Sequence, residues 1–447
     1  MSAASLDGPP SSGTTWRYAV MNFGLTIPAQ ASSFLLLYYV DGLKLSPTLA
    51  ATVMTLFAVY NAIDNPVIGF LSDRTRSRFG RRIPFIRFGA LPTLLGFALM
   101  FNAPFNGATQ PWALVAYFAV TWWLWETAGT AVGTGYLALL PEMFRTYPER
   151  TGVAWRMNVV QVVGLLIGLA LPPLLAARFG WGATAIAFSV ISGVAMFSGL
   201  GALSERPQLQ QAPALPLLPA LRATFGNRSF LTVVLAQTMR FVTTGTLAAG
   251  MGFYVKYTLG VPGGAATTLL LATAFVVAGV SLWPWRALVA GRLGARVTLM
   301  LAFAVTALSV SLLAVVHTVA GMWPVTACFG VGLGGMILMG DVIMADVIDE
   351  DEVNTGQRRE GMYYGLSGLI TTLSGALVSL TFGWVARRYG YDPTLATQPD
   401  SVAEGFRVFM TVPPIAGAAL ALLLLSFYPL HGERLATVRR TLAARAA

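Results

Sequence analysis

Asn61, Asp64 and Asn65 interrupt an apolar run, Leu49 to Leu71, that is long enough to cross a bilayer. Positions spaced i, i+3 and i+4 share one face of a helix, so a carboxylate and two amides would point the same way. Polar groups at that depth are costly unless they face protein or a watery path. There, Asp64 could hold a cation or take up a proton, with Asn61 and Asn65 supplying neutral oxygens; the plainer reading is a buried hydrogen bond that closes a helix contact. Ligand count favours the proton, because one carboxylate with amides can accept H⁺ without any coordination geometry, whereas Na⁺ wants several placed oxygens.

Further polar residues stand in apolar stretches. Glu126, in WWLWETAGT, has Thr130 and Gly133 on its own face at i+4 and i+7. Arg240 lies on a stripe with Gln237 and Thr244, and a guanidinium inside a membrane pairs with a carboxylate or binds an anionic group. Glu126 and Arg240 could therefore be partners, or each could face a solute. Tyr364, Ser367, Thr371 and Ser374 form a hydroxyl stripe suited to a polyhydroxylated solute, although such residues also serve helix packing. One ring of Trp122, Trp123 and Trp125 could stack on a solute, against the commoner use as interfacial anchors.

The elements that must position these residues follow from composition. Hydrophobic residues make up 55% and charged residues 11%; an ordinary soluble domain carries about 25% charged residues, so this chain cannot cover a water-facing surface. It reads as an all-α membrane protein. Apolar spans fall at roughly 17–40, 47–71, 84–103, 111–138, 154–178 and 181–203, then 230–258, 264–285, 297–317, 321–348, 361–387 and 404–429. That gives twelve helices in two six-helix halves: residues 1–203 with a short disordered tail, a middle loop 204–229, and residues 230–447 ending in a basic tail. Residues 1–15 have neither a basic nor an apolar signal-peptide region. The net charge of +10 comes from arginines in short loops, which places those loops and both termini in the cytoplasm and argues against a nucleic-acid surface. Arg387 and Arg388 are the exception, on the outer side in this scheme. Cys328 is the single cysteine, so an internal disulfide and a cysteine metal cluster are excluded.

The two halves carry a trace of repetition. Arg78-Phe79-Gly80-Arg81-Arg82 follows the second span, and Arg292-Leu293-Gly294-Ala295-Arg296 follows the eighth, 214 residues later (292 − 78). Twelve spans with a basic loop at these two places resemble the major facilitator superfamily. NAIDNPVIGFLSDRTRSRFGRR narrows the likeness to the glycoside-pentoside-hexuronide:cation symporter family, as do two further stretches. These are Leu139-Leu140-Pro141-Glu142 through Glu149-Arg150 and Arg156, and Ala345-Asp346-Val347-Ile348-Asp349 through Thr355-Gly356-Gln357-Arg358-Arg359-Glu360-Gly361.

The resemblance implies a twelve-helix alternating-access carrier, moving a sugar or glycoside with H⁺ or Na⁺ and needing no cofactor or resident metal. It implies a cation site at Asp64, Asn61 and Asn65, and a solute cavity lined by Glu126, Arg156, Arg240, Gln237, Tyr364, Ser367 and Thr371; Arg156 matches the family arginine near the sugar cavity. The departures are specific. The family's melibiose carrier has two helix-2 carboxylates flanking an asparagine, and only Asp64 remains here. Its helix-4 carboxylate falls on Gly133, with Glu126 as a substitute one or two turns away. Its sugar-gripping aspartate falls near Leu25 or Thr26, its helix-11 lysine near Thr372, and its helix-4 aromatic partner at Leu137, so melibiose itself is not expected. A lysophospholipid cargo on the same fold, or a non-transporting receptor or scaffold, are the alternatives.

Charged loops suggest gates. Asp73, Arg78, Arg81 and Arg82 after the second span, Arg292 and Arg296 after the eighth, and Asp346 and Asp349 near the tenth are expected to pair in one state and part in another. No phosphate-binding lysine loop, GxSxG, HExxH or histidine cluster is present, and an enzyme is not expected. A monomer in the inner or plasma membrane, surrounded by lipid, is the expected setting.

Overall fold

The computed structural model describes residues 11–144, 147–205, 224–288, 293–356 and 360–446. Regular structure among them is helical throughout. The first unit contains α1 (Ser12–Ala31), the part of α2 (Pro47–Arg74) from Ile63 onward, α3 (Ile83–Met100), α4 (Pro111–Met143), α5 (Tyr147–Ala170), α6 (Pro172–Phe179) and α7 (Trp181–Leu200). The second contains α8 (Arg228–Phe253), α9 (Gly263–Leu288), α10 (Gly294–Leu312), α11 (Val319–Thr355), α12 (Glu360–Thr372), α13 (Ser374–Arg388), α14 (Ser401–Ser426) and α15 (Gly432–Ala446). The boundary between units falls inside α2: Met1–Leu45 with Ile63–Pro213 form one, and Ser46–Ala62 with Ala214–Ala447 the other.

Helix starts follow local chemistry. The Ser11 hydroxyl accepts from the Thr14 amide at 3.1 Å, and the Asn227 side chain accepts from the Phe230 amide at 3.1 Å, so each satisfies an amide that the first turn leaves orphaned. By length and composition, seven helices among the described residues can cross a membrane, or eight if Trp155–Ala170 and Pro172–Phe179, bent by 44°, form one span. The other long helices, α1, α2, α4 and α8, contain Asn22, Asp64, Glu126 and Arg240 respectively. Their polarity marks them as the helices that carry the candidate site.

Two expected spans are broken. The fifth divides at Leu171, ahead of Pro172 and Pro173, and the eleventh divides at Leu373 into α12 and α13. Pro172 lacks the amide a continuous helix would need, which accounts for the first break. α11 is longer than expected, at 37 residues; at 1.5 Å per residue it extends roughly 55 Å, well past a hydrocarbon core of about 30 Å. Arg387 and Arg388 occupy the last turn of α13, where they complement the helix's negative end, and this explains the exception in the loop charges.

The internal repeat is written in the packing. In the first unit α1 packs on α5 and α7, and α3 on α4 and α7; in the second, α8 packs on α12, α13 and α14, and α10 on α11 and α14. The first helix of each unit runs into a π-helical turn, Leu37–Gly42 and Tyr254–Thr258. Within these turns, Tyr39 donates its hydroxyl to the Met100 carbonyl at 2.8 Å and Tyr254 donates to the Leu313 carbonyl at 3.0 Å. Each bond ties the end of α1 or α8 to the end of the third span in its own unit.

Candidate functional site

α2 presents two unlike faces. Leu56, Val59, Ile63, Val67 and Leu71 are exposed and form one apolar stripe, while Asp64 is 5% exposed and Asn61 and Asn65 are half-buried. The turn of the helix therefore carries the polar face inward, as the spacing requires. Both carboxylate oxygens of Asp64 are buried. Its neighbours across the helix contact are Thr130 and Glu126 of α4, the latter near enough for the two carboxyl charges to interact. Trp122, one turn before Glu126, donates its indole N–H to Glu126 Oε2 at 3.3 Å. Gly133 faces open space, so the position where the family's helix-4 carboxylate falls is vacant.

A buried carboxylate is costly to keep charged, and the charge of a second carboxyl that it senses adds repulsion. A monovalent cation or a proton relieves both. Asp64 has the Thr130 hydroxyl for a neighbour and senses the charge of Glu126. Glu126, expected among the solute-lining residues, lies near enough to Asp64 for their charges to interact.

The remaining first-unit residue is Arg156. It donates to the Gly152 carbonyl at 2.9 Å, its guanidinium lies 5.5 Å from the Trp16 ring centre, and its Nε is buried without a partner. In the second unit Arg240 donates through Nε to Gln237 Oε1 at 2.7 Å and covers the Phe241 ring at 4.1 Å. Gln237 is buried against Gly340 of α11, where any larger residue would collide with its amide. Ser367 is half-buried and its carbonyl accepts the Thr371 hydroxyl at 2.8 Å, while Tyr364 is exposed. The tryptophans separate cleanly. Trp123 is exposed, the Trp125 backbone is pressed against Gly96, and only Trp122 reaches a site residue.

The family of MFS/sugar transport proteins matches residues 18–432. The chain belongs to that family. Within it, the likeness to glycoside-pentoside-hexuronide symporters holds: a provisionally designated glycoside/cation symporter of Escherichia coli is 25% identical over 92% of this chain and 91% of its own length. A sodium-dependent lysophosphatidylcholine symporter of Danio rerio is 24% identical over 90% of this chain and 82% of its own. The solved nucleoside transporter NupG shares the fold, with a TM-score of 0.66 at 11% identity over 91% of this chain and 99% of that one. This is a multi-pass membrane transporter of the major facilitator type, not an enzyme.

Among the described residues of this transporter the loop charges have the following partners. Arg81 lies 3.6 Å from Glu205, and the Arg82 amide donates to the same carboxylate at 3.1 and 3.2 Å. The Arg82 guanidinium donates to the Ala138 carbonyl, and Arg78 covers the Phe79 ring at 4.7 Å. Arg296 donates to the Leu425 and Ser426 carbonyls at 2.8 and 2.6 Å, so it caps the end of α14 and does not pair with Asp346. Asp346 instead takes Arg439 at 2.9 Å and Glu350 takes Arg434 at 2.6 Å. Asp349 is half-buried; the Asp73 side chain and Arg292 lie outside the described residues.

The partners of Asp346 and Glu350 come from α15. After α14 the chain turns at Gly432, whose φ of +56° favours glycine, and a basic helix lies on the end of α11 with Val438 buried beneath it. Glu205, Arg434 and Arg439 are the partners the sequence reading missed. An arginine helix in the tail and an acid just after the sixth span were the available signals. Between the first turn of α8 and the end of α11 lies a polar cavity of about 460 Å³, lined among others by Ser229, Glu350, Asp351 and Arg434.

Proposed function

We propose that the chain is a cation-coupled symporter of a sugar or glycoside, with Asp64, Glu126, Thr130 and Asn65 forming the cation site and Na⁺ as the coupling ion. The observation that carries this reading is the buried Asp64 carboxylate, whose charge interacts with the second carboxyl of Glu126. The preference for a proton rested on a single carboxylate; a second one and a hydroxyl raise the ligand count toward what Na⁺ needs. H⁺ competes at the same pair, since one proton also removes the repulsion between two carboxyls. Asn61 shares with Asp64 the polar face of α2.

The solute contacts belong to Arg156, Arg240, Gln237 and the Tyr364, Ser367, Thr371 stripe. The setting is the inner or plasma membrane, with both termini cytoplasmic and the chain a monomer. Ion binding that favours one conformation of the loaded carrier couples the two fluxes. The test is uptake into proteoliposomes driven separately by a Na⁺ gradient and a pH gradient, with sugars, glycosides and lysophosphatidylcholine as competitors. Accumulation under the Na⁺ gradient with competition by a sugar or glycoside is expected. Drive by the pH gradient alone would overturn the ion, competition by lysophosphatidylcholine alone would overturn the cargo, and uptake indifferent to both gradients would overturn the coupling.

A further inference from the structure

We propose that Trp122 is a positioning residue for the cation site, fixing the Glu126 carboxylate through its indole N–H. The proposal rests on the reading of Asp64 and Glu126 as that site. Trp122 and Glu126 stand one turn apart on α4, the separation at which side chains meet on a helix, and Nε1 donates to Oε2 at 3.3 Å. Glutamate has three rotatable bonds, so its carboxylate is poorly placed unless something holds it. An indole offers a single donor in the plane of a rigid ring, which makes the hold directional.

The ring itself is held. Trp122 is tilted against Phe118 with centroids 5.2 Å apart, and Phe118, fully buried, stacks on Tyr39 at 3.8 Å. Tyr39, also fully buried, is anchored through its hydroxyl to the Met100 carbonyl. Three packed rings thus connect a backbone carbonyl at the end of α3 to the carboxylate beside Asp64. Partners of this kind behind a coordinating carboxylate set its orientation and the affinity of the ion it holds.

Trp122→Phe keeps the packing against Phe118 and removes the N–H. In proteoliposomes the Na⁺ concentration for half-maximal uptake should rise about ten-fold, the lower end for loss of such a support, with the maximal rate changed less than about two-fold, since the ring itself stays packed. A hydrophobic carbodiimide followed by peptide mass spectrometry gives a readout that does not depend on transport: Glu126, freed from its donor, should be modified several-fold faster. Trp122→His keeps a ring N–H and should recover part of the Na⁺ affinity. Unchanged half-saturation and unchanged labelling in Trp122→Phe, or a loss of maximal rate alone, would overturn the proposal. Wild-type uptake that ignores ion gradients would instead overturn the cation site, and the labelling comparison would still decide whether Trp122 holds Glu126.

Discussion

Asp64 of α2 and Glu126 of α4 stand 62 positions apart in the chain and close enough in the fold for their charges to interact, with both Asp64 oxygens buried. Two carboxyls in that arrangement act as a unit, so neither can be removed without changing what the other holds.

Asp64→Asn should abolish accumulation against a gradient while facilitated exchange survives, because the amide imitates the ion-neutralised carboxylate. Glu126→Gln should weaken Na⁺ by about ten-fold or more, as loss of one anionic ligand does. The double variant should be no worse than Asp64→Asn, since groups sharing one ion do not contribute additively. Gradient-driven accumulation by Asp64→Asn, measured in proteoliposomes, would remove it from the site.

Orientation is tested at the arginine loop. Ser77→Cys in a Cys328→Ala background should react with an impermeant thiol reagent only after the inner face is opened, because the arginines flanking it resist translocation. Labelling of intact cells from outside would reverse the topology.

Tyr39→Phe and Tyr254→Phe each remove a buried hydroxyl that satisfies the carbonyl of Met100 or Leu313. Each should cost about 1 kcal/mol of stability, rising toward 3 if the carbonyl stays dry. The bonds share no partner and lie in separate units, so the losses should add. Denaturant unfolding of the purified variants in detergent gives the comparison, and a strongly non-additive double variant would contradict independent clasps.

Gly96→Ala places a Cβ 2.7 Å from the Trp125 amide nitrogen, and backbone there has no flexible end to swing away. α3 and α4 must part, at a cost of about 1–3 kcal/mol. Because α4 carries Glu126, a lower melting temperature should come with weaker Na⁺ dependence. Full stability in Gly96→Ala would show that the contact is looser than the backbone positions require.

The tail helix makes a prediction of the opposite kind from the surface. Arg439 is 60% exposed on its side chain but its partner Asp346 only 9%, so Arg439→Gln strands a buried carboxylate. Arg439→Gln should destabilise more than the double variant with Asp346→Asn, which removes both charges. Equal losses in a thermal melt would mean that water reaches Asp346 freely.

Much was legible in the chain because it depends on local chemistry alone. Apolar length set the spans, the i, i+3, i+4 spacing placed Asn61, Asp64 and Asn65 on one face of α2, and the arginine repeat at 78–82 and 292–296 marked two halves. Composition alone required a membrane protein, since 11% charged residues cannot clothe a soluble one. The family match over residues 18–432 follows from those same residues.

What the tertiary structure decided is which polar groups meet. Glu126 could equally have faced Arg240 or a solute while only its own helix was in view; the fold brings it within reach of the Asp64 charge and leaves Gly133 facing open space. Asp346 had several arginines within reach on paper, and the docking of α15 on the end of α11 gave it Arg439 while Arg296 went to the carbonyls that end α14. Helical periodicity fixes the direction of a side chain from its own axis. Its partner depends on the distance and rotation between two helices, which are set by packing contacts such as Gly96 against Trp125 that are spread across the chain and leave no local pattern.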